Sequence, residues 1–140
     1  KIDAKKDMTF DTDESITFTG NTGPFIQYAY ARIQSILRKC ERQQAFAKPS
    51  ILLEKEKDLI PTLLQYNEVL IDSAEQTNPS IIVSYVYTLA KQFNNYYHDT
   101  PILKAEEDSL IQWRLELTNA VAVRIKQVCD ILSIPLLERM

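Results

Sequence analysis

Phe25, Tyr28, Arg32 and Lys39 lie within one short stretch, and no other set of residues in the chain has types and spacing that suggest chemistry so directly. On a helix of about 100° per residue with Phe25 at zero, Tyr28, Lys39 and Arg32 fall at about 300°, 320° and 340°. Ile26, Ala29, Ile33, Leu37 and Cys40 fall between about 40° and 120°, forming an aliphatic stripe beside them. One flank of the helix is suited to burial. The adjoining flank lines up two aromatic rings, a guanidinium and an ammonium. Single-stranded nucleic acid binds such surfaces, because ring faces take splayed bases and cations meet phosphates. A plainer arrangement has the rings padding a neighbouring helix and the cations in water. The pattern alone leaves both open.

Other chemistries find little support. The chain carries no glycine-rich phosphate loop, no paired-histidine metal motif and no serine–histidine–aspartate set in sequence context. His98 is the single histidine, and beside Asp99 it reads as surface decoration rather than a catalyst. The acidic run Glu106, Glu107 and Asp108 opens a helix, where negative charge favours the dipole without any further role. Cys40 and Cys129 lack a metal-ligand spacing and make no disulfide framework, so both read as reduced thiols in a helical core. We expect no catalysis from this chain alone.

Charge narrows the partner. The net charge of −3 argues against indiscriminate nucleic-acid binding. Residues 25–50 nevertheless carry Arg32, Arg38, Lys39, Arg42 and Lys48 against Glu41 alone, whereas residues 51–77 carry six acidic side chains against Lys55 and Lys57. A local basic face on an acidic domain suits one specific anionic partner.

The elements that must position these residues read as helices. A chain of 140 residues suits one domain. Its 2 glycines fall far below the usual share of about 7%, which favours long helices with short connections over hairpins. Residues 1–19 read as a connector with at most one helical turn. The helical domain then occupies residues 20–140. A first helix runs from Pro24 to about Arg42, with proline in the first turn where its missing N–H is harmless. After Ser50 comes a helical stretch interrupted near Pro61, as two helices or one kinked helix, then a helix from Pro79 or Ser80 through "IIVSYVYTLAKQFNNYYHD", and a long last helix from about Glu107 to Ser133. Ile82, Val86, Leu89, Phe93 and Tyr96 recur at helical spacing, as do Leu110, Leu117, Val121, Ile125, Val128 and Leu132. The fold expected is an all-α bundle of about five helices. No apolar run approaches the ~20 residues of a membrane span. The chain begins at Lys1 without an initiator Met, so we expect a fragment of a longer protein.

The stretch "GNTGPFIQYAYARIQSILRK", which opens the first helix, closely resembles the start of the anticodon-binding (DALR-type) domain of arginyl-tRNA synthetases. The resemblance continues through "YVYTLAKQFNNYYHD" and "WRLELTNAVAVRIKQVCDILSI" to the final "PLLERM", covering the chain from about Phe10 to Met140; the charged stretch at 51–77 is generic. It implies the helical anticodon-binding domain of a class I aminoacyl-tRNA ligase. The HIGH- and KMSKS-type signatures of the catalytic domain are absent, so ATP with magnesium belongs to that missing domain and no cofactor to this fragment. The partners implied are arginine tRNA and the parent's own catalytic domain, in a cytoplasmic, monomeric enzyme without membrane contact. The alternative is a helical protein-interaction module that meets an acidic peptide.

The resemblance also implies roles residue by residue. Tyr28 and Arg32 match family contacts to the anticodon loop, and Tyr97 matches a second anticodon-loop tyrosine. Met140 matches the family's terminal residue, close to the bound loop. Phe25 stands where tyrosine is usual, so stacking survives there while a hydroxyl contact is lost. Arg38, Lys39 and Arg42 are expected to meet phosphates, and Asn94 and Asn95 are candidates for a base edge. Gly20 and Gly23 are expected to bracket a turn that needs positive φ or close approach. Every arginine anticodon has cytosine in the middle, followed by G or U. The reader of that set must demand the one and tolerate both of the others.

Overall fold

Ile82, Val86, Leu89, Phe93 and Tyr96, the three-and-four spacing of the sequence, are all buried along one helix, Ser80–Asp99. The computed structural model describes residues 22–39, 52–105 and 107–139, with Thr9, residues 11–16, Gly20 and Pro49. Among them are six helices and no strand: α1 (Thr12–Ser15), α2 (Gly23–Leu37), α3 (Glu54–Leu64), α4 (Tyr66–Glu75), α5 (Ser80–Asp99) and α6 (Asp108–Ile131). The stripe on α5 is apolar on more than one side, with Tyr85 and Ala90 buried as well, and the helix accordingly packs against α2, α3, α4 and α6. Around this central helix α2 supplies Ile26, Ala29, Ile33 and Ile36, and α6 supplies Leu115, Val121, Ile125 and Val128. Leu110, Leu132 and Leu37 of the expected stripes are only half-buried.

Helix ends show where local chemistry decides. Thr22 is extended and its Oγ1 accepts the Phe25 N–H at 3.4 Å, with Pro24 in the first turn. α2 stops at Leu37 rather than near Arg42: the Arg38 N–H still makes an α-type bond to the Gln34 carbonyl, but the Lys39 N–H bonds to the Ile36 carbonyl, three residues back, and tightens the last turn. Residues 40–48, with Cys40 and Arg42, lie outside the described residues. α3 begins at Glu54, later than Ser50, where the Leu53 N–H donates to the Glu56 carboxylate at 2.9 Å. Pro61 sits inside α3 on its exposed side, and the break falls four residues on, at Gln65. The Gln65 N–H still reaches the Pro61 carbonyl at 3.0 Å, so α3 and α4 meet at a bend.

Two helices end without glycine. Thr77 (φ 49°) and Ser133 (φ 56°) take left-handed backbone. The N–H of the next residue then bonds back to the helix, Asn78 to Ser73 at 2.9 Å and Ile134 to Cys129 at 2.8 Å. Of the two glycines, Gly20 has φ +80° and open space where a Cβ would stand, so it serves conformation; Gly23 is the first helical residue of α2 and needs neither positive φ nor close approach. Glycine at position 77 is therefore expected to stabilise the fold by about 1 kcal/mol, and Gly20→Ala to destabilise it by a similar amount. Thermal unfolding of Thr77→Gly and Gly20→Ala checks both signs. A lower melting point for Thr77→Gly would show that threonine is held there by more than the cap.

Cys129 is fully buried, and burial pushes its thiol up to about 11. That raised value favours the folded state fully below the ordinary thiol pKa, and the contribution is lost as pH climbs through about 11.

Candidate nucleic-acid interface

The aromatic–cationic flank of α2 faces an open groove of about 870 Å³. One wall is α2, through Phe25, Tyr28 and Arg32, with Lys39 just past its end; a second is the last two turns of α5, through Asn94, Asn95 and Tyr97; a third is the loop from Thr100 to Lys104. α2 and α5 pack directly on each other, which brings residues some seventy positions apart in sequence to one mouth.

Arg32 stands at the junction. Its Nη1 donates to the Asn94 side-chain oxygen at 2.7 Å. Its guanidinium carbon lies 4.7 Å from the centre of the Tyr28 ring and 5.4 Å from that of Tyr97. One cation is thus placed between two tyrosines from different helices, and an amide fixes its orientation. Exposure separates these rings from core aromatics: Tyr28 is 43% and Tyr97 38% exposed, against 8% for Tyr30 and 0% for Tyr96. The padding arrangement describes Tyr30 and Tyr96; Tyr28 and Tyr97 border the groove. Tyr97 is backed by the Phe93 ring, stacked at 6.2 Å and 15°. Phe25 leans on Tyr87 at 5.3 Å and 48°, half in the core and half in the groove wall. Asn94, a candidate for a base edge, already gives its oxygen to Arg32.

The cations divide. Lys39 is exposed and, like Tyr28 and Arg32, lines both the main groove and a smaller recess of about 390 Å³. Arg38 borders only the smaller recess, and its Nη1 donates to the Glu138 carbonyl at 3.1 Å. Gln27 Nε2 likewise donates to the Pro135 carbonyl at 2.8 Å. Together they clasp the segment after α6 along α2, which brings Glu138 and Arg139 to the rim of the recess. Gln27 was missed by the sequence reading, since a glutamine beside an aliphatic stripe carries no signal of a partner a hundred residues away. Arg42 and Met140 lie outside the described residues.

The rim is partly self-neutralised. Asp99 pairs with Lys55 of α3 and with His98 Nδ1, the latter at 2.5 Å, and Lys55 Nζ also reaches the Asn95 carbonyl at 3.3 Å. His98 is itself exposed at the mouth. No group of three or more His, Cys, Asp or Glu side chains that could hold a metal occurs among the described residues, and no described helix is long and apolar enough to cross a membrane.

The DALR anticodon binding domain family matches residues 26–140. The chain belongs to that family. Among curated relatives, the arginine–tRNA ligase of Parabacteroides distasonis is 42% identical across the full chain, which spans 24% of that protein. The enzyme of the same name from Flavobacterium psychrophilum is 43% identical, again over the full chain and 23% of its own length. Thermus thermophilus arginyl-tRNA synthetase superposes with a TM-score of 0.90 at 34% identity, over 97% of this chain and 24% of that one. A Plasmodium falciparum arginyl-tRNA synthetase, at 22% identity and a TM-score of 0.85 over 99% of this chain and 25% of that one, shares the fold. The chain thus spans about a quarter of the length of the relatives it matches. The all-α architecture of this anticodon-binding domain is what it shares with those two solved structures.

Proposed function

We propose that the domain reads the anticodon loop of arginine tRNA for an arginine–tRNA ligase, whose catalytic domain arginylates the tRNA with ATP and magnesium. The observation that carries this reading is Arg32 held between the half-exposed rings of Tyr28 and Tyr97 at the mouth of the groove. Unstacked loop bases lie on those ring faces, and Arg32, oriented by Asn94, meets a base edge or a phosphate. Phe25 adds an apolar edge to the same wall, and Lys39 meets backbone phosphates. Arg38 serves the phosphates with the N–H groups that the tail does not take. Arg42 extends the contact to a further phosphate, and Met140 packs close to the loop as the resemblance implies. The cytosine in the middle of the anticodon offers an amino donor and two acceptors, which backbone groups around the groove satisfy while a ring holds the base plane. The parent works as a cytoplasmic monomer in this reading, and its ATP-handling residues lie in the catalytic domain. The same face would accept an acidic peptide, but membership of an anticodon-binding family favours RNA.

Titration of the chain with an arginine-tRNA anticodon stem-loop at rising KCl tests the reading. Affinity is expected to fall linearly on a log–log plot, and Lys39→Ala to weaken all RNAs alike while flattening the slope by about one counterion. Salt-independent binding, or none at low salt, would refute it.

A further inference from the structure

The groove wall furthest from α2 in sequence is a single turn, and a buried charge pair holds it. The Pro101 carbonyl accepts the Lys104 N–H at 3.3 Å, closing the turn, and also accepts Arg114 Nη1 of α6 at 3.2 Å. Arg114 is buried, and its Nε lies 3.5 Å from Oε1 of Glu56, a carboxylate with no solvent exposure. The same Glu56 oxygen accepts the Tyr96 hydroxyl at 3.2 Å, and its other oxygen accepts the Leu53 N–H. Burial, with the Glu56 charge adding to it, pushes the Tyr96 hydroxyl well above the usual phenol range, so it stays a donor. One pair therefore ties the first turn of α3, the last turns of α5, the body of α6 and the Pro101–Lys104 turn.

Stability does not require such a pair. Desolvating two charges costs about what their attraction returns, and well-packed apolar residues of similar volume serve a core as well or better. What apolar residues lack is a directed donor to the Pro101 carbonyl. That donor fixes the turn whose last residue, Lys104, is exposed and lines the groove on a different wall from Lys39.

We propose that Lys104 is a further phosphate-binding residue of this groove, on a wall with no other assigned cation, and that Arg114, held by Glu56, is the positioning residue that aims it. The proposal rests on the anticodon-loop reading of the groove.

The test uses the 140-residue chain and an arginine-tRNA anticodon stem-loop, with affinity measured against KCl and thermal unfolding on the same samples. Lys104→Ala is expected to weaken binding roughly three- to tenfold at low salt and to lower the salt slope by about one counterion, with an unchanged melt. Lys104→Arg should restore the slope. The double variant E56Q/R114M keeps the volume and leaves no charge unpaired; the Gln amide offers one oxygen to the two donors that Glu56 holds, so the protein should stay folded with a lower melt while losing the same slope. Adding Lys104→Ala to it should then cost nothing further, because both act through one contact. Arg114→Lys keeps a cation for Glu56 but shortens the reach to Pro101, and should show the same slope loss in a folded protein. An unchanged slope in Lys104→Ala, or parental binding by a folded E56Q/R114M or Arg114→Lys, overturns the proposal while the groove reading stands. Failure of the unsubstituted chain to bind the stem-loop overturns both.

Discussion

Alanine at Tyr96 is expected to cost the fold about 3–5 kcal/mol, while alanine at its neighbour Tyr97 leaves the fold standing and costs about 1–3 kcal/mol of RNA binding. The two residues are adjacent in sequence and about 100° apart around α5. That rotation sends Tyr96 into the core, without solvent exposure, 6.4 Å from Phe93, and with its hydroxyl on Glu56. Truncating it opens a cavity and removes a donor from a buried carboxylate, and the two losses add. Tyr97 instead lies along Phe93 with 38% of its surface open to the groove. Its loss forfeits part of one stacked contact but empties no cavity. Tyr28→Ala should behave like Tyr97→Ala, since Tyr28 is 43% exposed on the opposite wall. Phenylalanine should be tolerated at Tyr28 and Tyr97 better than alanine, because the ring face does most of the stacking. Phe25 already stands where relatives of this kind are expected to carry tyrosine. Thermal unfolding and RNA affinity measured on the same proteins separate the roles. A large drop in melting temperature for Tyr97→Ala, with unchanged affinity in the folded fraction, would return that ring to the core.

Much of this was legible in the sequence where the signal is local or periodic. The stripe Ile82, Val86, Leu89, Phe93 and Tyr96 found the central helix. The 300–340° flank of α2 found Tyr28, Arg32 and Lys39, which the structure brings to one groove with Phe25 and Tyr97. Local punctuation was less faithful. Pro61 was expected to interrupt its stretch, as two helices or one kinked helix, and the stretch is indeed two helices. The ring, however, sits inside α3 on its exposed side, and the bend falls four residues on, at Gln65. Glycine was expected to mark special backbone, and Gly20 does, but Thr77 and Ser133 take left-handed conformations without it. Long-range polar pairing was not visible at all. Glu56 looked like one charge among many in a generic acidic stretch, and its partner Arg114 is 58 residues away. In retrospect both sit on apolar stripes, Glu56 with Leu59 and Leu63, Arg114 with Leu117 and Val121. A charge at a core position of a helix is the signal that would have found them.

In the proposed reading, the domain distinguishes arginine anticodons, through their middle cytosine, from anticodons with another base there. The most direct measurement compares its affinity for two anticodon stem-loops that differ only in having C or U at the middle position. Uridine replaces the amino donor and N3 acceptor of cytosine with an acceptor and a donor, so a pocket built for C is left with groups unpaired. The expected loss is about 1–3 kcal/mol, roughly five- to 150-fold in affinity, while exchanging G for U at the third position changes little. Tyr28→Ala and Tyr97→Ala should narrow the gap between the C and U stem-loops, because a base no longer held in plane is read poorly. Equal affinity for the C and U stem-loops, in a folded chain that binds both, would contradict the account.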